Sequence, residues 1–171
     1  MITRRFLRHL LSGAALLAAL SCERPSPLES TAPNASLLDW LPHAALLLCS
    51  PLPYDSVTQT IGPEGGTLSV GPHRLFIPAG ALPTAVTITA IAPSDTVNQV
   101  RFFPEGLTFA SPAALTMSYA NCGPLNLLVP KQIAYTTDAL DILQLIPSID
   151  AVWAQQVTGS LQHFSTYAIA W

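Results

Sequence analysis

The residues that could do chemistry in this sequence are few and widely spaced. After the first apolar run the histidines are His43, His73 and His163, and they form no H-x-x-x-H pair. Zinc needs several converging ligands, and no local cluster supplies them. Asp138, Asp141 and Asp150 lack the alternating carboxylates and the glycine of a calcium loop. With no G-x-S-x-G elbow and no glycine-rich phosphate loop either, the sequence predicts no metal site, no cofactor and no enzymatic activity.

The first 21 residues predict an export signal that ends at a cysteine. Arg4, Arg5 and Arg8 precede an apolar stretch of 11 residues, Leu10 to Leu20. A helix that spans a bilayer needs about 20 apolar residues, so this stretch favours a secretory signal that is removed from the mature protein. The junction Ala19-Leu20-Ser21-Cys22 resembles the lipobox of bacterial lipoproteins.

The lipobox resemblance implies that Cys22 receives a diacylglycerol, that the signal is cut before it and that the new amino terminus is acylated. Several acyl chains hold a protein at a membrane far more firmly than one, because each buried methylene adds about 0.8 kcal/mol. Glu23 stands where an aspartate commonly retains lipoproteins in the inner membrane. The resemblance therefore favours the outer membrane, facing the periplasm or the cell surface. The alternative is a soluble secreted protein in which Cys22 is incidental.

The charge of the chain argues against nucleic acid as a partner. The formal net charge is -3. Beyond the signal, four basic residues stand against ten acidic ones, a net charge of −6. The four are Arg24, Arg74, Arg101 and Lys131. Scattered in this way, they form no patch for a phosphate backbone.

Two cysteines remain once Cys22 is assigned to lipid. In an exported protein two such cysteines are more often bridged than free, which favours a disulfide bond between Cys49 and Cys122. The bond would tie the N-terminal segment onto the rest of the domain. Two buried thiols are the alternative.

The mature chain divides into a tether, a short helix and a β-rich domain. Residues 22–36, rich in Pro, Ser, Glu and Ala, predict a flexible tether. Leu37 to Leu48 predicts one short helix within a 37–56 segment that also contains a connector. Residues 57–171 alternate short β-type runs with Gly and Pro, which predicts an antiparallel β-sandwich. The predicted strands are Val57–Ile61, Thr67–Val70, His73–Ile77, Val86–Ala92, Val97–Phe103, Ala113–Tyr119, Gln132–Thr136, Leu140–Leu145, Val152–Thr158 and Leu161–Ala170.

Three motifs in this domain resemble the ZU-five domain, named for zonula occludens and the uncoordinated-five netrin receptors and found also in ankyrins. They are Gly65-Gly66-Thr67-Leu68 leading to Ile77-Pro78-Ala79-Gly80-Ala81-Leu82, then Phe103-Pro104-Glu105-Gly106-Leu107-Thr108-Phe109 with Pro112-Ala113, and finally His163-Phe164-Ser165-Thr166-Tyr167. The resemblance covers about residues 61–167 and implies a β-sandwich. Spectrin binding, known of ankyrins, is not carried over, because the chain shows no repeats, no death domain and no second sandwich.

The resemblance also implies one chemical hypothesis. Some ZU-five proteins of the death-domain class cleave themselves within a histidine-phenylalanine-serine motif, which maps here to the Phe164–Ser165 bond. Ser165 would attack the Phe164 carbonyl, and His163, two residues away on one strand face, could act as its base. Cleavage there would release only seven residues and no effector domain. We therefore favour a structural role, with Phe164 in the core and His163 and Ser165 at a strand end.

Three functions are consistent with these observations. The first is a lipid-anchored, non-enzymatic sandwich that acts as a structural or protein-binding module at the cell envelope, held by lipid on Cys22 and binding an envelope protein. The second is the self-cleaving module. The third is a carbohydrate-binding sandwich that uses exposed tryptophans, for which the candidates are Trp40, Trp153 and Trp171.

Overall fold

Two antiparallel sheets pack face to face in the computed structural model, which describes residues 44–123 and 129–171. One sheet has the strand order β1-β4-β5-β11-β7-β8, and the other has the order β2-β3-β6-β10-β9. The predicted all-β antiparallel sandwich is confirmed. The strands are β1 (Asp55–Ile61), β2 (Gly66–Val70), β3 (His73–Ile77), β4 (Val86–Ala92), β5 (Gln99–Phe103), β6 (Thr108–Ser118), β7 (Gln132–Thr136), β8 (Ile142–Ile146), β9 (Ser148–Ala151), β10 (Gln156–His163) and β11 (Thr166–Ala170).

Alternating side chains decide which face of each strand is buried. In β3, His73, Leu75 and Ile77 point into the core, while Arg74 and Phe76 point to solvent. This period of two is what a strand with one buried face requires. The core between the sheets consists mainly of Leu, Ile, Val and aromatic side chains contributed by both sheets. In β11 all five residues are buried, because this strand lies in the middle of the six-stranded sheet.

The helix predicted over Leu37–Leu48 is wrong in the part that the structure describes. Residues 44–50 are extended, and Leu46 and Leu48 form antiparallel bridges to Ala170 and Val97. The backbone N–H of Leu47 donates to the carbonyl oxygen of Ile169 at 2.8 Å, and the Leu47 side chain is buried. Pairing with the end of β11 supplies the backbone hydrogen bonds of this apolar run, so a helix is not needed to satisfy them. The first part of the predicted helix lies outside the described residues.

The last two predicted strands are also corrected. The sequence places a break at Gly159, but β10 runs through it, and the break falls instead at Phe164-Ser165. A Cβ atom on Gly159 would lie 3.1 Å from the Cδ1 atom of Ile133 in the opposite sheet, so glycine here serves close packing rather than a turn. Residues 148–151 form a strand that the sequence analysis missed, and a 3₁₀ turn, Val152–Ala154, follows it.

Gly65 sits in the turn that carries the chain from β1 in one sheet to β2 in the other. Its φ is 74°, a left-handed conformation that favours glycine. A Cβ atom there would lie 2.4 Å from the carbonyl oxygen of Ile77, which leaves no room for a side chain. The chain therefore needs glycine at this reversal.

Candidate binding surfaces

The predicted disulfide bond between Cys49 and Cys122 is present. The Cα atoms are 4.1 Å apart, and the two cysteines are separated by 73 positions in the sequence. Two hydrogen bonds hold the same junction. The Ser50 N–H donates to the Asn121 carbonyl oxygen at 3.1 Å, and the Asn121 side-chain amide donates to the Ser50 carbonyl oxygen at 2.6 Å. The bond joins the segment before β1 to the turn after β6. Cys22, the predicted lipidation site, lies outside the described residues, as do the signal, the tether, Trp40 and His43.

The His163-Phe164-Ser165 motif lies at the corner where the chain leaves β10 for β11, and therefore passes from one sheet to the other. The Phe164 side chain is completely buried. Its ring stacks on Phe102, with centroids 5.1 Å apart, and meets Phe109 edge-on at 5.0 Å. Aromatic pairs at these separations stabilise a core beyond the area that they bury. The placement of Phe164 in the core agrees with the structural role favoured from the sequence.

The polar atoms of this corner are held mainly by backbone groups and by Tyr167. The Gly106 N–H donates to the Phe164 carbonyl oxygen at 2.9 Å, and the Tyr167 hydroxyl donates to the His163 carbonyl oxygen at 2.6 Å. This second bond resembles the tyrosine corner of other β-sandwiches. Burial raises the pKa of the Tyr167 hydroxyl, with a smaller contribution from Tyr135, so the hydroxyl keeps the proton that it donates.

His163 contacts the Phe164 carbonyl rather than the serine hydroxyl. Its Nδ1 atom lies 3.4 Å from the Phe164 carbonyl oxygen and 3.4 Å from the Tyr167 hydroxyl oxygen. Ser165 is buried, and in the described part of the chain no hydrogen bond joins it to His163. A base must reach the proton that it removes. The corner therefore brings the three residues together in space without linking His163 to Ser165 by a hydrogen bond.

Asp150 and Asp138, two of the acidic residues considered for a calcium site, accept hydrogen bonds in different parts of the sandwich. Asp150 accepts a hydrogen bond from the Tyr119 hydroxyl at 2.6 Å and another from the Lys131 backbone N–H at 2.8 Å. Asp138 accepts from the Thr166 hydroxyl at 2.9 Å. These carboxylates hold loops and strand ends in place.

His73 is buried at the start of β3, where it accepts a hydrogen bond through Nδ1 from the Ser118 backbone N–H at 3.2 Å. Burial lowers the pKa of His73 to about 4, because the charged imidazolium is poorly solvated there. An imidazole that accepts at Nδ1 is neutral. His73 is therefore a core residue.

One side of the sandwich carries three large exposed apolar side chains, of which the sequence singled out only Trp153, as a candidate for carbohydrate binding. We call it the apolar edge: β8, β9 and the 3₁₀ turn, residues 142–154. Leu143 is 54% exposed, Ile149 is 78% exposed and Trp153 is fully exposed. Both strands end their sheets, so one side of each has no neighbouring strand to pair with in the described structure. The third tryptophan candidate, Trp171, is partly exposed at the end of β11.

The opposite side of the sandwich, formed by β1 and β2, is polar. β1 carries Asp55, Ser56, Thr58, Gln59 and Thr60, and all of these side chains are exposed. Hydroxyl pairs link β1 to its neighbour β4, with Thr58 2.8 Å from Thr89 and Thr60 3.0 Å from Thr87. Cross-strand pairs of this kind stabilise the sheet. The exposed side chains of strand β1 are therefore polar, whereas those of the apolar edge include Leu143, Ile149 and Trp153.

A depression of about 410 Å³ lies on the outer face of the five-stranded sheet. We call it the Arg74 face. It is lined by residues of β2, β3, β6 and β10 and of the turn between β2 and β3. Several of these residues have hydroxyl or amide side chains. Its lining includes Ser69, Arg74, Phe76, Thr116, Gln156 and Thr158.

No protein-family model matches this chain, and no curated protein matches it. Within residues 44–123 and 129–171, no helix is long and apolar enough to cross a membrane. The same residues contain no group of three His, Cys, Asp or Glu side chains that could hold a metal ion.

Proposed function

We propose that this protein is a lipid-anchored component of the bacterial cell envelope, and that its ZU-five-like sandwich is a non-enzymatic module that binds another envelope protein. The anchor is Cys22, and the outer membrane is the favoured location. The apolar edge is the single observation that supports binding. Exposed Leu143, Ile149 and Trp153 lie along one stretch of chain whose only charged side chain, Asp150, is already hydrogen-bonded.

Two physical features of the apolar edge suit a protein partner. The free sides of β8 and β9 can accept a further strand, whose backbone would pair with theirs. Large apolar and aromatic side chains at the centre of such a contact supply most of its binding free energy. Soluble proteins usually protect edge strands with charges or prolines. Among residues 142–154, only Pro147 and Asp150 are of these types.

Site-specific photo-crosslinking in the host cell tests the binding role. A photoreactive phenylalanine analogue at Trp153 is expected to give one discrete protein adduct in the envelope fraction. The matched control places the same analogue at Tyr54, which is 63% exposed beside the polar edge strand β1, and no such adduct is expected there. Leu143→Lys in the Trp153-labelled protein should abolish the adduct. Equal adducts from both positions, or none from Trp153, would contradict the proposal.

Metabolic labelling tests the anchor separately. Wild-type protein should incorporate radiolabelled palmitate and sediment with membranes. Cys22→Ser should take up no label and should leave unprocessed precursor or misplaced soluble protein, because the diacylglycerol is attached through the cysteine sulfur. If wild-type protein takes up no palmitate in its host, the lipoprotein proposal fails, whatever the crosslinking shows.

A further inference from the structure

Arg74 is the only basic side chain in the described part of the chain that projects from the surface without an ionic partner. Arg101 lies 3.9 Å from Asp138, and Lys131 is buried. Arg74 is exposed, and its guanidinium group makes no hydrogen bond or ion pair with the described residues. The protein beyond the signal carries a net charge of −6. A lone guanidinium group on an acidic surface can pair with a carboxylate that another molecule brings.

Phe76 stands beside Arg74 on the same outer face. Its side chain is 49% exposed, whereas Leu75 and Ile77 on either side of it point into the core. Its cross-strand neighbour on β6 is Ala114, whose small side chain leaves the aromatic ring uncovered on that side. An exposed aromatic ring offers a flat apolar surface with a polar surrounding, which suits a molecule that has both apolar and hydroxylated faces.

Hydroxyl groups form a row across the sheet in register with Arg74. Ser69 pairs with Arg74, Arg74 with Thr116 and Thr116 with Thr158, so the four side chains follow one another from β2 to β10. The Thr116 and Thr158 hydroxyl oxygens are 2.9 Å apart. Each hydroxyl can donate one hydrogen bond and accept others, and the amide of Gln156 adds both kinds of group at the edge of the depression.

We propose that the Arg74 face binds a carboxylated oligosaccharide, with Arg74 on the carboxylate, Phe76 against the C–H face of a sugar ring and the threonine row on its hydroxyls. The depression, about 410 Å³, lies within the range of about 300–1,000 Å³ that is usual for small-ligand sites. No acidic side chain lines it. The depression adjoins the apolar edge, because Thr158 pairs with Ile149 and Gln156 pairs with Ala151. Its lining includes none of the three tryptophans.

The chemistry of the face favours this ligand over a densely charged polymer. A nucleic acid or a polyphosphate needs several cations to displace its counterions, and the face offers one. A sugar acid needs one cation for each contacted carboxylate, together with an aromatic surface and hydrogen-bonding groups, and the face offers all three.

A comparison of charged and uncharged forms of one ligand tests the proposal. Full-length protein in detergent is titrated with tetramers of galacturonate, glucuronate and guluronate, and with the methyl ester of each. The ester removes the negative charge and keeps the rings and hydroxyls. At least one tetramer is expected to bind at least tenfold more tightly than its ester, and to bind more weakly at high salt, since salt screens an exposed ion pair.

Three variants assign the effect to this face. Arg74→Gln should remove the difference between acid and ester, and Phe76→Ser should weaken both forms. Arg101→Gln is the matched control, because it removes a guanidinium group from the other sheet, and it should keep the difference. All three positions are at least partly exposed, so unfolding temperatures should stay near that of the wild type. If Arg74→Gln unfolds early, Arg74→Lys takes its place, because lysine keeps the charge but loses the paired donors.

Three results would overturn the proposal. They are no saturable binding of any tetramer, an acid–ester difference that persists in Arg74→Gln, and equal competition by a glutamate tetrapeptide, which would mean that the face recognises charge without sugar. None of these results bears on the apolar edge, because the crosslinking at Trp153 has its own readout.

Discussion

The corner at residues 163–167 and the apolar edge at residues 142–154 are neighbours in sequence, yet their side chains are used in opposite ways. At the corner, Phe164 and Tyr167 are fully buried, and the carbonyl groups have donors. Along the edge, Leu143, Ile149 and Trp153 are exposed. The corner holds the motif with a known chemical precedent, and the edge holds no motif. The difference teaches that a recognisable motif can be buried in the fold, while the exposed apolar surface carries no recognisable motif.

If the corner serves the fold, Phe164→Ala should have the largest effect on stability. Removal of a fully buried phenylalanine leaves a cavity beside Phe102 and Phe109, and we expect a loss of about 3–5 kcal/mol in the free energy of unfolding. Urea unfolding followed by circular dichroism measures this loss. A change below about 1 kcal/mol would show that Phe164 does not fill the core and would break the comparison.

A second buried group, His73, should make the stability of the folded protein depend on pH. Its pKa of about 4 in the folded protein lies below the ordinary value of about 6.5 in the unfolded chain. The unfolded chain therefore binds the proton first, so this contribution to stability is complete above pH 6.5 and is lost as the pH falls towards 4. The loss is on the order of 3 kcal/mol.

Urea titrations between pH 7 and pH 4 measure this dependence. Carboxylates also titrate in this range, and His73→Gln separates their contribution because glutamine does not ionise. The variant should show a clearly flatter decline than the wild type. If both curves fall in parallel, His73 is not responsible for the loss of stability.

Ser165→Ala should have a small effect, because the hydroxyl makes no hydrogen bond with His163. We expect a change of no more than about 1 kcal/mol in the free energy of unfolding. Intact-mass measurement of the denatured mature protein should give one species that ends at Trp171. Denaturation is needed because a cleaved β11 could stay hydrogen-bonded in its sheet. Release of a Ser165–Trp171 peptide from the wild type but not from Ser165→Ala would instead establish self-cleavage.

Ile149→Thr should have the smallest effect on stability and should sharpen the other half of the comparison. Ile149 is exposed, and threonine keeps the β-branched shape that suits a strand, so the free energy of unfolding should change by less than about 0.5 kcal/mol. Adduct formation from the photoreactive residue at position 153 should nevertheless decline. Loss of stability together with retained crosslinking would mean that the edge serves the fold.

The sequence predicted the fold better than it predicted the candidate binding surfaces. β3, β4 and β7 match their predicted bounds because alternation and bounding Gly or Pro residues are local signals. The Cys49–Cys122 bond followed from the expected compartment and the number of cysteines. The strand break predicted at Gly159 was wrong because glycine is needed there for close packing against Ile133. That contact joins distant parts of the chain, and no local pattern reveals it.

The exposure of Leu143 and Ile149 and the Arg74 face were not predicted, for a related reason. Leu143 and Ile149 have ordinary strand composition, and only their place at the ends of the sheets makes them exposed. The Arg74 face depends on the register of four strands, which brings Ser69, Arg74, Thr116 and Thr158 into one row. Exposed edge strands and rows of side chains across a sheet depend on strand order and register. The local sequence of one strand does not determine either of them.

The junction at Cys49 also determines how the domain would respond to a mechanical pull from the residues that precede it. Ala45 and Trp171 exchange two backbone hydrogen bonds, at 3.2 and 3.0 Å, and these would open first under tension because each is weak by itself. The chain could then peel away only as far as Cys49, where the covalent link to Cys122 transfers the load to the end of β6. From there the force enters the centre of the five-stranded sheet, and the sandwich would resist as a whole instead of unravelling strand by strand.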